Sequence, residues 1–231
     1  MKKQIILLAS LFLFLGLHVI NAQATQQECT IKYNLFKGDY QSKKYEEAYP
    51  NWISLMDNCP KLSINIYKLG DKMVQSMFKN AADKTETTAL IKRIYEQRLE
   101  NYPTKDPAKV HSDYATFLVK NKLATDDEVF EILELAYSID PTRMGVKNIY
   151  RYFQGITDAN KDTNPQKVFD TYDDVLESVG EKLADYAKKL KALNDKLDAG
   201  QELDKKQKQN KDDFPLSFTL LNAIMEFNTL L

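Results

Sequence analysis

The stretch YEEAYPNWISLMDNCP, residues 45–60, decides the fold. Its apolar residues fall at helical spacing, a small residue stands at its fourth position, and Pro60 ends it. A helix this short buries its apolar face only against something else, so the question is whether the pattern returns. It does. ALIKRIYEQRLENYP covers residues 89–103 and DEVFEILELAYSIDP covers 127–141. Ile91, Ile94, Tyr95, Leu99 and Tyr102 make one apolar face, and Val129, Ile132, Leu133, Ala136 and Ile139 make the corresponding face of the next copy.

The prolines at 60, 103 and 141 lie 43 and 38 residues apart. Between them, helical patterns are expected over 30–42, 62–80, 107–121 and 143–157, joined by short polar turns such as SKK and ATDD. Internal periodicity of this length marks a solenoid of helix pairs. Gly and Pro are scarce at seven each, and strand alternation with hairpin signals is missing, so the composition is all-α.

Tyr45, Ala48, Trp52 and Pro60 carry a resemblance to the second half of a tetratricopeptide repeat, in which an aromatic, a small residue, a second aromatic and a closing proline recur. LAYSIDP, ending at Pro141, is similar to that repeat's usual ending, and YKLG at 67–70 resembles the Leu-Gly of its first helix. The resemblance covers 29–157 and is to exported bacterial proteins of this type. It implies a solenoid that binds peptides or proteins in a groove lined by the first helix of each pair. By that resemblance Tyr33, Lys37 and Tyr40 are groove candidates, with Tyr114 and Leu118 further along. Trp52, the only tryptophan, reads as core.

Export is expected from the N-terminus. Lys2 and Lys3 precede an apolar run from Ile5 to Ile20, and Ala22-Gln23-Ala24 has the small-x-small pattern of a cleavage site, with cutting after Ala24. The run is sixteen residues, short of the ~20 that span a bilayer. Removing Lys2 and Lys3 from 32 basic residues leaves 30 against 33 acidic, a net charge of about −3 over 207 residues. Such a balance excludes the basic footprint of nucleic-acid binding and gives no patch for an anionic membrane. In an oxidising compartment Cys29 and Cys59 are either a disulfide or two separate thiols. The bridge is favoured if the first two helices form an antiparallel hairpin, because the start of one then lies beside the end of the other.

From Phe169 the pattern tightens. Phe169, Tyr172, Leu176, Val179, Leu183, Tyr186, Leu190, Leu193 and Leu197 alternate by three and four, a coiled-coil seam with Lys, Asp and Glu filling most other positions. A helix of about 30 residues is about 45 Å long, and its narrow seam needs a partner. The partner is a return arm after Gly200, the apolar tail after Pro215, or a second copy of the chain. The expected divisions are a leader over 1–24, repeats over 25–160, the long helix or hairpin over 161–213, and an apolar helix over 214–231, which reads as a truncated end or a docked tail.

Chemistry is sparse. The mature chain has one histidine, His111, and no phosphate loop, nucleophile elbow or paired-cysteine metal motif. Asp158, Asn160, Asp162 and Asn164 alternate like a calcium loop, but Thr163 stands where Gly is required and Phe169 where a bidentate Glu belongs. The carboxylates, with lysines such as Lys182 and Lys189, read as solvated helix faces. The expectation is therefore a non-enzymatic protein–protein scaffold without cofactor or metal. The alternatives are a structural subunit self-assembling through the long helix, and a hydrolase using paired carboxylates in the groove.

Overall fold

The computed structural model describes residues 25–79 and 81–226; the leader expected over 1–24 and the end of the apolar tail lie outside the described residues. Among the described residues there is no strand, only nine α-helices and one 3₁₀ turn. They form two compact units divided after Lys79, inside the block expected to run as one array. None of these helices is long and apolar enough to cross a membrane.

The first unit holds α1 (Gln26–Gln41), α2 (Tyr45–Asn58) and α3 (Asn65–Met77). Thr25 starts α1 with a capping box: its Oγ1 accepts from the Glu28 backbone at 3.2 Å, and the Glu28 carboxylate accepts from the Thr25 N–H at 2.8 Å. The helix thus begins before residue 30, and Cys29 lies within its first turn instead of ahead of it. Lys43, at φ 59°, turns the chain back, and α2 packs antiparallel on α1. That hairpin brings Cys29 to Cys59, the C-cap of α2, and the two form a disulfide with Cα atoms 5.9 Å apart. The bridge closes 30 residues, worth roughly 3–4 kcal/mol as lost freedom of the unfolded chain.

Trp52 is fully buried, and its indole N–H donates to the Ile66 carbonyl at 2.9 Å. A Cβ placed on Gly70 of α3 would come within 2.2 Å of the indole. The Leu-Gly pair noted in the sequence therefore has a steric reason: α3 approaches α2 closely only because Gly70 has no side chain. Pro50 sits inside α2 without ending it, whereas Pro60 follows the last helical residue by two.

The second unit holds α4 (Thr85–Asn101), α5 (Pro107–Asn121), α6 (Asp126–Ile139), a 3₁₀ turn (Pro141–Arg143), α7 (Val146–Asn160), α8 (Pro165–Asp198) and α9 (Lys205–Glu226). Each helix packs on the next. Thr125 and Glu128 form a second capping box at the start of α6. Gly155 of α7 repeats the device of Gly70: an added Cβ would lie 2.2 Å from the Phe130 ring of α6. Around it Tyr152 stacks on Phe130 at 5.9 Å and on Tyr137 at 4.1 Å. Burial, then the neighbouring Tyr137, pushes the Tyr152 hydroxyl up to about 12.

The long helix differs from the strict seam. Its buried face is Val168, Tyr172, Val175, Val179 and Lys182, rotated by one position from the 169/176/183 row. Tyr172, Val179 and Leu193 are buried as the seam requires, Leu176, Leu183, Tyr186 and Leu190 are half-buried, and Phe169 and Leu197 are exposed. The rotation follows from two partners inside the chain: α7 and the 3₁₀ turn take the first half, α9 the second. Gly200, at φ 74°, makes the reversal, and Leu193 packs with Leu203 and Phe214, where Tyr186 stacks on the Phe214 ring at 5.2 Å. α9 runs unbroken through Pro215, across the boundary expected at 213.

Lys182 corrects a second expectation. It is not on a solvated face: it is 8% exposed, its ammonium donates to the Thr142 carbonyl at 2.6 Å, and it lies 5.6 Å from the Tyr186 ring centroid. Burial, then repulsion from Arg143, brings its pKa down to about 8. Of the alternating Asp and Asn residues, Asp158 and Asn160 lie in the last turn of α7, and Asn164 caps α8 by accepting from the Lys167 N–H at 3.3 Å, ahead of Pro165 in the first turn.

The glycine contacts predict a contrast. Gly70→Ala and Gly155→Ala should each cost about 1–3 kcal/mol in urea unfolding, because a rigid ring must move. Gly38→Ala, where an added Cβ meets nothing within 4 Å, should leave stability unchanged or raise it by up to about 1 kcal/mol. Equal effects at all three positions would refute the packing account.

Candidate functional site

The second unit carries an open cleft of about 400 Å³ walled by α4, α5 and α6. α4 supplies Tyr95, Glu96 and Leu99; α5 supplies Val110, His111 and Tyr114; α6 supplies Glu131, Ile132 and Leu135. The small residues Ala108 and Ala115 of α5 and Ala136 of α6 are all buried. Leu135 remains 48% exposed and Ile139, one turn further on, 43%.

α5 is held from behind by a buried polar network. The Asn148 side-chain amide of α7 donates to the Ser112 carbonyl at 2.7 Å, to Ser112 Oγ at 2.9 Å and to Thr116 Oγ1 at 2.9 Å. Its own oxygen accepts from Arg151 at 2.9 Å, and the Gly145 N–H donates to Ser112 Oγ at 3.0 Å. A buried network whose members are all bonded fixes one register for α5 against α7. It turns His111 and Tyr114 toward the cleft while Ser112 and Thr116 point away from it.

Tyr95 and Tyr114 lie with ring centroids 5.1 Å apart and form the aromatic part of the wall. Burial first, then the negative charges of Glu96 and Glu128, holds the Tyr114 hydroxyl above its ordinary range. Burial likewise lowers the His111 pKa below 6.5. Glu96 makes an exposed 3.8 Å pair with Lys92, one turn back on α4, a contact worth little in water. The described lining residues include two carboxylates and no Lys or Arg. Among the described residues, no group of three or more His, Cys, Asp or Glu is placed to hold a metal ion. The carboxylates with shifted pKa, Asp83 and Glu128, are both lowered by bonds to the helix-start threonines Thr85 and Thr125.

Of the residues singled out in the sequence, Tyr114 lines this cleft. Leu118 does not: at 5% exposed it is core, one turn past Tyr114 and facing inward, and offers no surface to a partner. Tyr33, Lys37 and Tyr40 belong to the first unit. The Tyr33 hydroxyl accepts from Ser63 at 3.2 Å and Asn65 at 3.3 Å, tying α1 to the start of α3. The Tyr40 ring packs between Phe36 at 6.2 Å and Tyr45 at 5.7 Å. Lys37 alone is exposed.

The sequence reading missed Glu96, Glu131 and Leu135, and counted Leu99 and Ile132 as core. One signal was present. Leu135 falls off the Val129, Leu133, Ala136 face, and with Ile132 and Ile139 it forms a second apolar stripe on α6, alongside Glu128 and Glu131.

His111 gives the cleft a pH signature. Its folded pKa lies below the unfolded 6.5, so unfolding takes up a proton in the window just under 6.5 and stability falls as pH drops through it. Urea melts at pH 7.5 and 5.5 should show a larger loss in the parent than in His111→Leu. Parallel losses would mean that His111 is solvated in the folded chain.

No family model, no curated protein and no solved structure matches this chain.

Proposed function

We propose that the chain is an exported, non-enzymatic scaffold of helix pairs, built like a tetratricopeptide solenoid, that holds a protein or peptide partner on its surface. The observation that carries this reading is the cleft itself: an apolar hollow between three successive helices, with Leu135 standing exposed on its edge. Exposed apolar side chains gathered around a concavity are what protein-binding surfaces share. The aromatic-on-glycine contacts supply the rigidity such a surface needs, since they lock helix to helix without long side chains in between. The Cys29–Cys59 disulfide is compatible with export.

Self-assembly through the long helix has less support. Most of its apolar positions are occupied by α7, the 3₁₀ turn and α9, which leaves Phe169 and Leu197 as its exposed large apolar residues.

Site-specific photocrosslinking in the producing cells separates the readings. A photoreactive side chain at position 135 should give an adduct with another protein that is missing when the probe sits at the exposed Lys120. Self-adducts through 169 and 197, with none through 135, would overturn the scaffold reading in favour of the assembling subunit.

A further inference from the structure

We infer that the occupant of the α4–α5–α6 cleft is a peptide segment presenting one or two apolar side chains beside Lys or Arg; the inference rests on the scaffold reading and names the chemistry of its partner. Volume sets the scale. A hollow of about 400 Å³ lies at the small end of ligand pockets and accommodates a pair of side chains, not a whole helix. Leu99, Ile132 and Leu135 line it, so the inserted groups are aliphatic or aromatic.

Charge decides what flanks them. Glu96 on α4 and Glu131 on α6 both line the opening, and among the described residues no Lys or Arg does. Glu128, one turn before Ile132, adds to the negative field, since it is near enough to raise the Tyr114 pKa. The acidic start of α6, with Asp126, Asp127 and Glu128 in its first turn, extends the same sign along this side. Lys92 opposes it only through the exposed 3.8 Å pair with Glu96. A carboxylate on the incoming segment would meet like charge from both walls; an ammonium or guanidinium meets an acceptor on either side. The half-buried Tyr114 ring, 5.1 Å from Tyr95, lines the same opening, and an aromatic ring favours a cation over an anion. Acidic peptides and free carboxyl termini are therefore disfavoured here.

The test uses the mature chain and two fluorescein-labelled nine-residue peptides that share a central Leu-x-x-Phe, one flanked by lysines and the other by glutamates. Anisotropy titrations at low ionic strength should give the lysine-flanked peptide at least tenfold tighter binding. The advantage should shrink in 0.5 M NaCl and reverse in Glu96→Lys/Glu131→Lys, and Leu135→Glu should weaken both peptides. Circular dichroism melts of each variant confirm that the fold is kept; these positions are at the surface, and Leu135→Ala provides a milder second variant. Binding of both peptides with equal affinity, lost in Leu135→Glu, would overturn the basic-partner inference and leave the cleft as the docking site. Failure of either peptide to respond to the Leu135 and Glu substitutions would overturn both.

Discussion

Close approach of helices is the constraint on which the two units depend. In each, an aromatic ring on one helix packs against a glycine on the next, Trp52 on Gly70 and Phe130 on Gly155, where even a methyl group would sit 2.2 Å from ring atoms. Removing one Cβ lets a large ring replace several smaller contacts, and a ring adds area without much conformational freedom to lose. Trp52 also donates its indole N–H to the Ile66 carbonyl near the start of α3, so its one polar group is satisfied while the ring is buried. The disulfide ties α2 to its other neighbour, α1, where Cys59 follows the last turn of α2.

In the second unit the consequence reaches the surface. With α6 locked to α7 through Phe130, Tyr152 and Tyr137, and α5 locked to α7 through Asn148, the outer faces of α5 and α6 are held at fixed separation. α4 completes the hollow. Its lining stays partly exposed because those helices have already spent their contacts on the other side. Among the described residues, the apolar stripe of Ile132, Leu135 and Ile139 is left partly or largely uncovered. The carboxylates of Glu96 and Glu131 surround that stripe with one sign of charge, which gives a hydrophobic hollow a preference among the segments that fit it.

The long helix shows how a repeating pattern is shared out. A strict seam of nine positions suggested a single continuous partner, but α8 meets two neighbours along its length, and its packed face in the first half differs from the strict seam. Lys182 lies on that packed face. Its ammonium is tolerated because it donates a hydrogen bond to the Thr142 carbonyl, in the turn after α6, at 2.6 Å.

What the sequence by itself determined is local. Helix periodicity, Pro60, Pro103 and Pro141 each two residues past a helix end, and Asn164 ahead of Pro165 all act within a turn or two of chain, so spacing reveals them. The Cys29–Cys59 bridge was legible for a related reason, since a tight hairpin must bring those ends together. The tertiary structure alone decided which of two apolar faces on α6 is core and which is open, that Leu118 turns inward while Tyr114 turns out, and that Lys182 is buried. It also decided that Glu96 and Glu131, 35 residues apart in sequence, line one hollow. Those outcomes depend on the rotation of one helix against another. That rotation is set by the shapes of side chains distant in sequence, such as a ring over a glycine, and no period within a single helix encodes it.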